Sequence, residues 1–344
     1  MGRDALAGNG RASFLWRVAQ LVGLTAMLVL IAALLLGSET ALTVLWNVLI
    51  PLVPASLLIS PALWRNTCPL ATLNMLPNGL AGRRQLTTVG ARGYGAVGMV
   101  LLFVLVPARR FLFNTDALAL AVVVIAVALL ALVLGMVFDA KAGFCNAICP
   151  VLPVERLYGQ RPLFSIGNAR CASCTLCTRS GCIDLGPQKS IAQTLGRARQ
   201  SRAWLLKPFG IFAAAFPGFV IGYYTTPDVP LAAAGGVYLH VLVWAALSYV
   251  VTAVAVRLLG LSSSVTLIVL AGAAVAFYYW FGAPVIAGAL GLDGAGAGAE
   301  AWAGTASIRA AALGLVAVWL WRGLRRVDVA NGLRAGGVVV ERRI

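Results

Sequence analysis

The sequence predicts an all-α membrane protein of about eight transmembrane helices, with a small cysteine-rich loop module between the fourth and fifth. Three observations predict it. Of 344 residues, 60% are hydrophobic and only 11% charged, with a mean hydropathy of +0.90; a soluble domain carries about a quarter charged residues. The apolar residues come in runs long enough to cross a hydrocarbon core, which takes about 20 residues as helix. Six of the seven cysteines fall within residues 145–182, between two such runs.

The runs are roughly 14–37, 41–64, 94–113, 116–138, 204–226, 231–258, 263–289 and 302–322. In lipid every backbone group must find its partner within its own segment or barrel, so these runs are expected as helices. The first is too long for a signal-peptide core and lacks a small-residue cleavage site, so it reads as a retained anchor. The second holds Pro51, Pro54 and Pro61 and is expected to be kinked, or broken near its inner end. The expected divisions are a four-helix membrane region over 1–138, a loop module over 139–203, a second four-helix region over 204–322 and a basic tail over 323–344. The loop module is too short to bury much of a core, so a bound metal group would have to organise it. Gly291–Gly298 reads as a flexible outer linker.

The formal charge of +16 is unevenly placed. With the N-terminus inside, 24 of the 27 basic residues collect on inner segments, among them Arg65, Lys141, Arg156, Arg170, Arg179, Arg199 and Arg202. Only Arg109, Arg110 and Arg309 fall elsewhere, while Glu39, Asp116, Asp228, Asp293 and Glu300 occupy outer connections. This is the positive-inside pattern of a bacterial inner (cytoplasmic) membrane protein with both termini and the cysteine loops cytoplasmic. The same surface suits anionic lipid or an acidic redox partner. Nucleic acid is not expected.

Cys171, Cys174, Cys177 and Cys182 form C-x2-C-x2-C-x4-C, and Cys145 and Cys149-Pro150 precede them as C-x3-C-P. Successive three-residue steps wrap thiolates around one small volume, as a 4Fe–4S cluster requires. Structural zinc usually takes two separated knuckles, so iron–sulfur is the expected occupant. All seven cysteines fall on the inner side, where thiols stay reduced. Cys182 is the simpler fourth ligand. Cys149 is the alternative, because in two-cluster ferredoxins the cysteine before proline serves the other cluster. A second iron–sulfur cluster involving Cys68, Cys145 and Cys149 is left open, although seven thiolates fall one short of two four-cysteine cubanes. There is also an internal repeat. Cys68-Pro69 and the seven residues after it, to Leu76, line up with Cys149-Pro150 and the residues to Leu157, each after an even-numbered helix, and Trp64 stands opposite Cys145.

The run Phe144-Cys145-Asn146-Ala147-Ile148-Cys149-Pro150, followed by Cys171-x2-Cys174-x2-Cys177, resembles membrane-bound ferredoxin-like proteins. These are of the NapH, NosR and CcoG kind, and include photosynthetic membrane iron–sulfur proteins. The resemblance covers about residues 41–190, and this chain carries one C-x3-C-P where relatives typically have two. It implies electron transfer between the quinone pool, or a soluble carrier such as ferredoxin or flavodoxin, and a membrane redox complex. The rival readings are a quinone oxidoreductase subunit with its own quinone site, a maturation factor reducing a metal or cofactor for another enzyme, and a transporter with a structural cluster.

Other features are weaker. His240 is the only histidine, which excludes bis-histidine haem within this chain. With Tyr238, Tyr223 and Tyr224 it could line a quinone pocket, though packed interfacial aromatics are the simpler reading. Arg309 is a candidate by its place in the last run. No nucleotide or flavin fingerprint and no nucleophile–base set is present. Intramembrane carboxylates are missing too, which argues against a proton-relay pump.

Overall fold

The structure, a computed structural model, describes residues 10–77, 84, 87–138, 141–166, 183, 187–293 and 302–335. Among them there is no strand, only an isolated bridge between Arg84 and Phe138. Eight helical spans are long and apolar enough to cross a bilayer: Phe14–Leu35, Glu39–Ile59, Gly93–Phe113, Ala117–Val137, Pro208–Thr225, Leu231–Leu259, Ser263–Ala289 and Ala303–Arg325. The chain is a multi-pass membrane protein, and each expected run falls on one span.

Proline decides where the spans bend. The first span is helix α1 (Gly10–Leu35), and the second is built from α2 (Glu39–Val44), a π-turn (Leu45–Leu49) and α3 (Ile50–Ile59). Pro51 offers no N–H, and just before it the Ile50 amide bonds the Leu45 carbonyl five residues back. The span stops at Ser60, whose extended backbone (φ −163°, ψ 124°) is what a residue before proline favours. The expected run to residue 64 is therefore broken at its inner end. After the break come two short helices, α4 (Pro61–Thr67) and α5 (Pro69–Met75). Helix α6 (Thr88–Ala108) carries Pro107 and opens into a second π-turn (Arg109–Phe113).

Helix α7 (Ala117–Val137) is capped by Asp116, whose carboxylate accepts from the Ala119 amide at 2.8 Å. A third π-turn (Phe144–Ile148), α8 (Leu152–Tyr158) and α9 (Pro187–Leu195) precede the second membrane half. That half comprises α10 (Pro208–Thr225), α11 (Ala234–Leu259), α12 (Ser263–Ala289) and α13 (Ala303–Ala335). Helix α10 is its centre. In its span 72% of residues are buried and mean hydropathy is 1.2, against 22% and 3.3 in α7. A helix packed on protein does not need the greasy surface of one facing lipid. At Gly218 an added Cβ would lie 2.0 Å from the Trp244 carbonyl oxygen, so α10 and α11 meet backbone to backbone.

The main core gathers Phe209, Phe212, Phe216 and Phe219 of α10 with Leu57, Tyr158, Trp204, Ala271 and Trp319. A second core near the opposite end holds Leu34, Leu42, Phe113 and Leu120. A third, smaller cluster lies at the loop end and contains cysteines.

Candidate metal centre at two Cys-Pro corners

Cys68 joins α4 to α5, and Cys149 joins the third π-turn to the α8 segment. Their backbones are almost superimposable, φ −58°, ψ 122° at Cys68 and φ −56°, ψ 123° at Cys149. The following proline drives each cysteine out of the helical region and turns the chain. The repeat seen in the sequence is thus a repeated corner. It differs in one residue. The Cys68 amide bonds Trp64 O four residues back (2.8 Å), whereas the Cys149 amide bonds Phe144 O five back (3.0 Å). By that bond Trp64 matches Phe144, one place from the direct alignment, and the second corner holds one extra residue. Such π-bulges are common at functional sites. The two units also interlock: α5 of the first packs on α7 of the second, and α8 of the second reaches α3 of the first. Helix α6 passes so near that a Cβ at Gly98 would lie 2.8 Å from the Cys149 carbonyl oxygen.

Cys145, Cys149 and the half-buried Cys68 share one apolar cluster with Ala71, Ala131, Phe144 and Leu152. Burial pushes all three thiols up from their ordinary 9.0, Cys145 to about 12. Opposing that at Cys145 is first the Arg65 charge, and then Lys141. At Cys68 the opposing groups include the Ala71 and Leu70 amides, and at Cys149 the Val151 amide. Without a cation these are protonated thiols at neutral pH. A bound metal reverses that balance, since its charge deprotonates a coordinating thiol.

Around the thiols runs a polar network not anticipated from the sequence. Arg65, only 2% exposed, is ion-paired with Glu155 (4% exposed), and its Nη2 donates to Asn146 Oδ1 at 2.9 Å. Lys141 Nζ donates to Arg65 O at 2.9 Å and to Asn66 Oδ1 at 3.3 Å. Asn74 Nδ2 donates to Ala131 O at 2.8 Å, tying α5 to α7. Charge distribution places Arg65, Lys141 and Arg156 with the topology-setting surface cations; all three are buried. The signal available was position. Arg65 stands three residues before Cys68 and Asn146 three before Cys149, in a chain that is otherwise poor in polar groups.

The quartet Cys171, Cys174, Cys177 and Cys182 lies outside the described residues. Among the described residues no group of three or more His, Cys, Asp or Glu side chains is arranged to hold a metal ion. The donor chemistry at the corners nevertheless fits thiolate ligation. Three sulfurs share one dry cluster, two cations and three backbone amides favour their ionised form, and buried Asn146 Nδ2 has no hydrogen-bond partner among the described residues. Amide groups of that kind are typical donors to cluster sulfur.

Of the residues considered for a quinone pocket, Tyr223 and Tyr224 pack edge-on with ring centres 5.2 Å apart, while His240 and Tyr238 bond to other partners. His240 Nε2 lies 2.9 Å from Thr225 Oγ1, and the Tyr238 hydroxyl donates to Val104 O at 2.9 Å. Tyr223 lies under Arg110, 4.5 Å from guanidinium carbon to ring centre, and Tyr224 packs edge-on against Tyr278. Arg309 lies over Trp280 at 4.5 Å and donates through Nε to its carbonyl oxygen at 3.0 Å. No known protein family, curated protein or solved structure matches this chain.

Proposed function

We propose that this chain is a membrane-anchored iron–sulfur electron-transfer protein. It relays single electrons between a soluble carrier or the quinone pool and a membrane redox partner. The observation that carries this reading is the meeting of two matched Cys-Pro corners, with the buried Cys145 and Cys149 and the half-buried Cys68, in a chain that goes on to the C-x2-C-x2-C-x4-C run. Cys171, Cys174 and Cys177 would hold a 4Fe–4S cluster, closed by Cys182 or by Cys149. Cys68 and Cys145 stand where a second cluster, or the crossed ligation of the first, would draw its sulfurs. When bound, such a cluster supplies one-electron transfer. The chain's own part is to keep the site dry, to set Arg65 and Lys141 beside the sulfurs, and to point amide donors at them. The basic end, carrying the corners, would face the cytoplasm of a bacterial inner membrane.

The test is low-temperature EPR with iron and sulfide analysis on anaerobically purified, reduced protein. Serine at Cys171, Cys174 or Cys177 should abolish the cubane signal or leave a three-iron species. If Cys149→Ser destroys the signal and Cys182→Ser spares it, the crossed ligation is the correct one. One equivalent of zinc without iron would overturn the proposal.

A further inference from the structure

A cavity of about 640 Å³ opens at the basic end, where α11 finishes and α12 begins. Its walls include Arg199, Arg202, Trp204, Ser262, Ser263 and Ser264, and among the described residues no carboxylate lines it. Arg199 is held in place from both sides. Its Nη2 donates to Ser264 Oγ at 2.8 Å, and its carbonyl oxygen accepts from Ser263 Oγ at 2.8 Å. Arg202 Nη2 reaches the Arg257 carbonyl oxygen at 3.4 Å. A guanidinium carries five N–H donors, so each bond to a serine or carbonyl leaves donors for an anion. Gln160 Nε2, just beyond α8, donates to Leu267 O of α12 at 3.0 Å, which puts the cavity on the same membrane side as the Cys-Pro corners.

The surroundings are apolar. Leu206, Leu258 and Leu259, beside the cavity-lining segments, are 74%, 78% and 70% exposed. The exposed side chains of Leu247, Val250, Val251 and Val254 continue this face along α11 into the membrane. Two arginines at headgroup depth above an apolar helix face match one kind of molecule: an anion with hydrocarbon tails. A soluble phosphate compound would make no use of the exposed leucines. We infer that this cavity is a specific binding site for an anionic phospholipid. Arg199 and Arg202 would clasp the phosphodiester, and the acyl chains would lie along α11. This inference does not depend on the electron-transfer reading.

The full-length protein in non-ionic detergent is titrated with phosphatidylglycerol or phosphatidylcholine, and retained lipid is counted by native mass spectrometry. Phosphatidylglycerol should be held about tenfold more tightly, because phosphatidylcholine carries its own choline cation beside the phosphodiester and so gains less from two guanidinium groups. The Arg199→Gln/Arg202→Gln pair should reduce it to the phosphatidylcholine level. Arg17→Gln/Arg84→Gln removes the same charge from exposed sites outside the cavity and should change retention by less than about twofold. Equal loss in both pairs would mean a diffuse basic surface and overturn the site. Inorganic phosphate that displaces phosphatidylglycerol at matched concentration would overturn the lipid assignment. If the arginine pair does not fold, wild-type protein that fails to discriminate the two lipids overturns it alone.

Discussion

Arg65 holds the two cysteine corners together through Glu155, 90 residues away, and Asn146, 81 residues away. Replacing it with Met would leave the Glu155 carboxylate buried without its counter-charge. Breaking a buried pair from one side costs about 3–5 kcal/mol, while replacing both partners can be near neutral. Arg65→Met should therefore lower the unfolding free energy in micelles by about that amount, and adding Glu155→Gln should recover most of the loss. A single variant as stable as wild type would remove Arg65 from this role. Cys145 makes a separate prediction for cluster-free protein. Its folded thiol is pushed up to about 12, against an ordinary 9.0. Below pH 9 both folded and unfolded thiols are protonated and stability is complete. Between pH 9 and 12 the unfolded thiol releases its proton while the buried one keeps it, so stability falls as pH rises, by about 1–2 kcal/mol at pH 10. Cys145→Ser should flatten that part of the wild-type pH curve; an identical slope in both proteins would contradict the burial. At this scale the sequence was only partly legible. The cysteines announced themselves by spacing, but burial of Arg65 and Lys141 depends on partners distant in the chain, which no local pattern encodes.

Elements were far more legible, because lipid imposes one rule on all of them: a long apolar run must be a helix. The span ending at Ile59 also follows from chemistry visible in the sequence, since Pro61 forces the residue before it out of the helical region. The π-turns were not visible. A bond to the fifth residue back, such as Cys149 to Phe144, is set by how the turn packs and by no residue type. That single extra residue accounts for the shifted match between Trp64 and the second corner. Helix contacts follow the same logic of close approach. Gly218→Ala would place a methyl 2.0 Å from the Trp244 carbonyl and 2.6 Å from Ser248 Cβ, so α10 and α11 must separate. Overpacking of this kind costs about 1–3 kcal/mol. Gly314 of α13 has nothing within 4 Å of an added Cβ, and alanine there should stabilise by about 0.5–1 kcal/mol. Thermal unfolding of both variants checks the pair; equal shifts would mean that α10 and α11 are not in backbone contact.

At the scale of the whole molecule, the sequence assigns 24 of the 27 basic residues to the connections on the side that would carry the cysteine corners. Charge so placed would fix orientation and, in the proposed relay, would also act on a soluble partner. The loop around the quartet contributes Arg170 and Arg179, both outside the described residues, and Arg197 lies exposed just after α9. An acidic carrier approaching this face would be drawn to it before contact, and steering of that kind raises encounter rates by about 10–1,000-fold at low salt. Screening removes it over a distance of about 8 Å near physiological ionic strength. Reduction of the purified protein by a ferredoxin should therefore slow steeply as salt rises, whereas reduction by a small neutral donor should not. Reversing Arg170 and Arg179 to Glu should slow the ferredoxin reaction at low salt and bring the two proteins together at high salt. Stopped-flow absorbance of the proposed cluster's band measures each of these rates. A ferredoxin rate indifferent to both salt and charge reversal would leave the basic end with topology and lipid as its only tasks. Rapid reduction of a quinone by the isolated chain would instead favour self-contained oxidoreductase chemistry over a relay.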